Sequence, residues 1–172
     1  MSANTETIPK SLEEFQGELD KLLSGLDRTI PGGPGNGEDR EISDEELAKF
    51  LLENSDDKAE GRAFADVGRA QAAFVPVRRL EVSKSGSAQR FFVGNTVDPW
   101  NGQSRFGGLA YVSTPSTAAF YAVDGIKIPY VPLKLLIIFF YNTQQRKFAV
   151  YVGNAVSGDL KYTSGQGNFN GF

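Results

Sequence analysis

The chain has 172 residues, 40% of them hydrophobic, no cysteine, no histidine and a formal net charge of −3. That length suits one ordinary domain plus an appendage, with enough apolar residues for a core. The two missing residue types exclude disulfides, thiolate zinc sites, cysteine nucleophiles and any mechanism needing a histidine base or ligand.

The opening "MSANTETIPKSLEEF" has neither the basic start nor the apolar stretch of a signal peptide. "SLEEFQGELDKLLSGL" then places Ser11 and Glu14 in capping-box spacing. Leu12, Phe15, Leu19, Leu22, Leu23 and Leu26 form one helical stripe, and Gly25 stands where a left-handed residue stops a helix. A helix this short is marginal alone in water, so the stripe needs a surface, its own core or a partner's. "TIPGGPGNGEDRE" is a glycine–proline linker. The predicted organisation is an acidic helical arm with its linker over 1–42 and a folded domain over 43–172. Charge divides along similar lines: residues 1–60 hold 16 acids and 6 bases, residues 61–172 hold 5 acids and 12 bases. Two bodies of opposite sign on one tether attract each other.

"SDEELAKFLLEN" repeats the capping box with Ser43 and Glu46 and shows an apolar face of Leu47, Phe50 and Leu51. A third helical stretch is predicted from Asp57 to about Ala73, with Phe64, Val67 and Ala70 on one side. From Phe74 the texture becomes strand-like. "FVPVRRLEVS" and "AQRFFVGN" flank "KSGS" as a hairpin. Residues 96–108 read as a loop carrying Trp100, Arg105 and Phe106. "LAYVS" reads as a strand, and "TPSTAAFYAV" as a short helix capped by Thr114 with Pro115 in first position. "IKIPYV" is a brief strand, and Leu133–Tyr141 fits helix or buried strand equally. "KFAVYV" and "DLKYT" are strands, and "SGQGNFNGF" is a loose polar tail. No internal repeat is visible.

Phe91-Phe92-Val93-Gly94-Asn95-Thr96 resembles the strand motif on which RNA-recognition domains stack a base. Their second motif is matched only at Arg146, Phe148 and Ala149, more than fifty residues on. Single-stranded nucleic-acid binding is therefore a secondary expectation. "YVSTPSTAAFYA" resembles the Ser-Thr-Ser strand and helix of ADP-ribosyltransferases, with Arg105 able to mimic that family's arginine. No glutamate follows Glu81, so the carboxylate that chemistry needs is missing. Asp66, Glu81, Asp98, Asp124 and Asp159 are scattered, and no pair is placed for acid–base work. No catalytic residue, cofactor or metal is expected.

"FVPV" at 74–77, "YVSTPSTAAFY" at 111–121, "YVPLKLLIIF" at 130–139 and "FAVYVGNAVSGDLKY" at 148–162 give an order of segments similar to the SseB-type N-terminal domain of bacterial proteins. Asn154 and the Ser113-Thr114-Pro115 step match best, whereas Ala155 stands where that family has proline. The resemblance covers residues 47–163 and implies an α+β module for binding or regulation.

The expected architecture is thus α+β: a helical arm, then a small antiparallel or mixed sheet packed with a few helices. The expected function is a non-catalytic interaction or regulatory module. Its contacts would be the arm stripe and the loop of Trp100, Arg105 and Phe106, since tryptophan and arginine are enriched in hot spots. A viral structural or assembly protein that self-associates is the alternative. Expected partners are a protein or a second copy, with nucleic acid left open and no membrane; the expected location is the cytoplasm, or the virion for a viral protein.

Overall fold

A computed structural model describes residues 8–24, 42–53, 66–86, 90–112, 116–129 and 131–169. Among these residues two helices, α1 (Leu12–Leu23) and α2 (Asp44–Glu53), precede eight strands. These are β1 (Asp66–Val75), β2 (Arg79–Lys84), β3 (Arg90–Thr96), β4 (Gly102–Tyr111), β5 (Thr117–Ile126), β6 (Leu135–Tyr141), β7 (Lys147–Asn154) and β8 (Lys161–Phe169). The strands close into an antiparallel barrel in the order β1-β2-β3-β8-β5-β6-β7-β4. That order is two Greek keys, 4-1-2-3 and 8-5-6-7, joined along the β3–β8 and β7–β4 seams. The chain therefore repeats one topology twice without repeating a sequence.

An eight-stranded barrel is just wide enough for side chains to fill, and here aromatic rings fill it. Phe92, Phe120, Phe140, Phe148 and Phe169 are buried, and Phe92 lies 4.9 Å from Phe169, 5.1 Å from Phe140 and 5.7 Å from Phe120. Alanines 70, 72, 118 and 122 supply the small positions between them. A second core lies outside the barrel, where both helices cover the outer face of β5, β6, β7 and β4. Phe15 of α1 stacks on Phe139 at 4.5 Å, and Gly108 admits the start of α2, where an added Cβ would fall 2.8 Å from the Glu45 backbone. Each fully buried side chain of this size contributes about 1.5–3 kcal/mol.

The capping box at Ser43 forms in full and the one at Ser11 by half. Ser43 Oγ accepts from Glu46 N–H while Glu46 accepts from Ser43 N–H, both at 3.1 Å. At α1, Ser11 accepts from Glu14 N–H, and the Glu14 carboxylate instead takes the Lys10 N–H. Gly25 and most of the linker lie outside the described residues.

The α+β expectation is corrected: the sheet is a closed barrel and the helices are two short elements laid on its outside. The third predicted helix fails from Asp66 onward, because that stretch is β1, burying Ala70, Ala72 and Phe74 with strand alternation. The predicted helix at 114–123 is β5 from Thr117, paired on both sides by β6 and β8, which outweighs the local N-cap signal. The supposed 96–108 loop shrinks to 97–101, and of "IKIPYV" only Ile126 is in a strand among the described residues, Tyr130 lying outside them. Leu133–Tyr141 resolves as β6 from Leu135. Its unbroken hydrophobicity reflects burial on both faces, with Leu136, Ile138 and Phe140 inward and Leu135, Ile137, Phe139 and Tyr141 under the helices. The supposedly loose tail is β8 through Phe169.

Candidate functional site

The arm stripe is already occupied. Phe15, Leu19 and Leu22 are buried against the barrel, with Leu12 and Leu23 packed at the margin. Glu18 reaches Lys147 of β7 at 3.3 Å, and Lys147, fully buried, sits 4.1 Å over the Phe139 ring. Tyr162 donates to the Pro9 carbonyl at 3.0 Å, fastening the chain just before the helix. Leu26 lies outside the described residues. Helix α1 thus packs on the barrel of the same chain.

The other sequence-chosen residues fall on a β-bulge. Ala70 pairs with Gly107 and Ala72 with Ser104, so Arg105 and Phe106 together oppose a single residue of β1. A strand alternates its side chains; the extra residue breaks that alternation and turns both Arg105 and Phe106 to solvent. Phe106 is 65% exposed, while Ser104 and Gly107 on either side face the interior.

Three side chains, Asn154, Ser104 and Tyr151, lock this bulge. The pairing of β4 with β7 runs only from Gly107 to Tyr111. Beyond it the Asn154 side chain replaces the ladder, its Oδ1 accepting from Phe106 N–H at 2.9 Å and from Ser104 Oγ–H at 3.2 Å. Tyr151, inside the barrel, donates to Ser104 Oγ at 2.9 Å. Burial pushes the Tyr151 phenol well above its ordinary pKa, against the opposing pull of the Ser104 bond, and so favours the protonated, donating form. Glycines 107 and 153 make room for that hydroxyl: a Cβ at either would lie 2.3–2.4 Å from the Tyr151 oxygen. Asn154 and Tyr151 were not among the sequence-predicted contacts. Asn154 was visible only as a strand-end residue, and nothing local links it to a bulge 48 positions earlier.

Trp100 does not join Arg105 and Phe106. It lies in the β3–β4 connection, half-buried with its ring 4.7 Å from Phe74 at the barrel end. Of the scattered carboxylates, Asp124 and Glu81 have clear structural partners. Asp124 is buried and accepts from Val156 N–H, Ser157 N–H and Ser157 Oγ–H, which shapes the β7–β8 connection. Glu81 pairs with Arg79 at 2.7 Å and Arg90 at 2.9 Å. Among the described residues no cluster of acids could hold a metal ion.

Two concave places stand out among the described residues. A pocket of about 140 Å³ opens beside Asp66, Arg69, Lys84, Phe91 and Tyr111, next to segments outside the described residues. A shallow groove crosses the outer wall by Asn95, Tyr121, Ser164 and Gln166. Comparison with known proteins adds no assignment: no family model matches this chain, nor does any curated protein or solved structure.

Proposed function

We propose that this chain is a non-catalytic protein-interaction module whose contact centres on the Arg105–Phe106 bulge. The observation that carries this reading is an exposed phenylalanine beside an arginine, on backbone held by the Asn154, Ser104 and Tyr151 bonds. A large apolar side chain at the surface costs little entropy to bind when its backbone is already fixed. Phenylalanine and arginine are also enriched where interfaces concentrate their energy. Bulges recur where a strand must re-aim a side chain. In this reading α1 is scaffold, and the bulge is the contact.

The test replaces Phe106 by a photo-crosslinking phenylalanine analogue in the full chain, with the same label at exposed Gln144 as control. A discrete adduct from position 106 and none from 144 is the expected result. An adduct of twice the chain mass identifies the partner as a second copy, the assembly alternative. Absence of any adduct specific to 106 removes the reading.

A further inference from the structure

The antiparallel pairing sends four connections to one end of the barrel, their described residues being 76–78, 97–101, 127–129 with 131–134, and 155–160. Each carries one exposed aliphatic side chain. Val77 is 68% exposed, Val97 62%, Leu133 65% and Leu160 48%. Among the described residues, those four and Phe106 on the wall are the large hydrophobics nearly half exposed or more. Side chains that are apolar and exposed on four separate turns are not explained by folding, since none contributes to either core.

The connections form one braced platform. Thr96 N–H donates to the Arg78 carbonyl at 2.8 Å, Ala155 N–H to the Lys134 carbonyl at 3.0 Å, and Lys134 Nζ to the Gly158 carbonyl at 3.0 Å. Thr163 Oγ1–H reaches Asp98 across the β3–β8 seam at 3.4 Å. The platform is also basic: Arg78, Lys127, Lys134 and Lys161 are exposed there against the exposed acids Asp98 and Asp159, while Arg79 is paired with Glu81.

We propose that this end docks on an anionic lipid surface, with the four aliphatic tips entering the headgroup region and the lysines and arginines meeting lipid phosphates. Isolated valine and leucine tips on convex turns fit a deformable plane. A shaped protein surface selects tryptophan, tyrosine and arginine anchors, and leucine and valine are under-represented there. Apolar insertion and cationic attraction are each weak and together suffice for peripheral attachment. No helix among the described residues is long and apolar enough to cross a membrane. This site differs from the Arg105–Phe106 bulge on the barrel wall, and stands or falls independently of it.

Trp100, the chain's one tryptophan, lies in the same set of connections and reports directly. The full chain is titrated with phosphatidylcholine vesicles containing or lacking phosphatidylserine, following Trp100 emission and vesicle flotation. Binding with a blue shift on the anionic vesicles only is expected. Reversing Lys127 and Lys161 to Glu lowers the vesicle affinity by roughly tenfold or more, and Leu133→Ser with Leu160→Ser removes the blue shift. Circular dichroism confirms that each variant remains folded. No binding of the folded wild type to anionic vesicles overturns the proposal. So does unchanged binding by the double serine variant, or equal binding to polyglutamate, which would mark an acidic protein as the partner.

Discussion

The two sides of the barrel wall share a topology and differ in what lies outside them. β6 and β7 are buried on both faces, by rings within and by α1 and α2 without. β3 and β8 bury only their inner residues and leave Asn95, Ser164 and Gln166 along an open groove. The sequences follow the covering: "LLIIFFY" on one side, "KYTSGQGNF" on the other. On the open side glycine takes the place of hydrophobic bulk. A Cβ at Gly165 would fall 1.9 Å from the Asn95 carbonyl and 2.6 Å from the Phe120 ring, and one at Gly94 2.8 Å from the Phe92 ring. Aromatic rings lie over glycine backbone there, and β3 and β8 come together because no side chains separate them.

The largest effect should come from the covered side. Phe139→Ala removes the ring that stacks on Phe15 and carries the Lys147 ammonium, and should cost about 3–5 kcal/mol in urea unfolding. Asn95→Ala on the open wall should stay within about 0.5 kcal/mol. Equal losses at the two sites would erase the distinction.

Next comes the buried ion pair. Glu18→Gln deprives the buried Lys147 of its carboxylate and should cost about 3 kcal/mol. The double change Glu18→Leu with Lys147→Met should recover most of that loss, because replacing a buried pair with apolar groups of similar volume removes its desolvation cost. A double variant no more stable than Glu18→Gln would show that the pair is a net stabiliser.

On the open side, Gly165→Ala should cost about 1–3 kcal/mol by forcing β3 and β8 apart. Alanine at Gly17, an exposed helical position with nothing within 4 Å, should stabilise by up to about 1 kcal/mol. A neutral Gly165→Ala would mean that the seam is looser than the packing indicates.

The smallest expected effect is a pH dependence at the α2–β4 junction. Burial, then the neighbouring Glu45 carboxylate, push the Asp44 pKa up to about 6, with Arg69 opposing. The folded state thus binds this proton more tightly than the unfolded chain does. The term is neutral below the unfolded carboxylate pKa near 4 and becomes destabilising as pH rises through 4 to 6. Screening at this partly exposed site limits it to about 1 kcal/mol. Asp44→Asn should flatten the stability profile between pH 4 and 6 and raise stability at pH 7. An unchanged slope would assign the proton elsewhere.

Much of the local structure was legible. Both capped helices stand where Ser11 and Ser43 announce them, and the apolar stripe of Phe15, Leu19 and Leu22 meets an apolar surface. Arg105 and Phe106 were marked as a contact by residue type, but not as a bulge. That needs Ala72 opposite Ser104 and the Asn154 side chain beside Phe106, pairings between distant segments. The errors share one cause. β5 carried a helix-start signal and β8 a run of glycines, and both became strands only because neighbours on each side supplied hydrogen bonds and ring faces.

What the sequence determined by itself is short-range: helix starts, the apolar stripe, the division of charge, and the chemistry excluded by the missing cysteine and histidine. Those depend on residues within a turn of one another, or on composition alone. The tertiary structure decided the barrel, its double Greek key, the packing of α1 on the barrel, and the gathering of four exposed aliphatic tips at one end. Strand pairing is non-local, and side chains acquire a face only when the register with a distant strand is set.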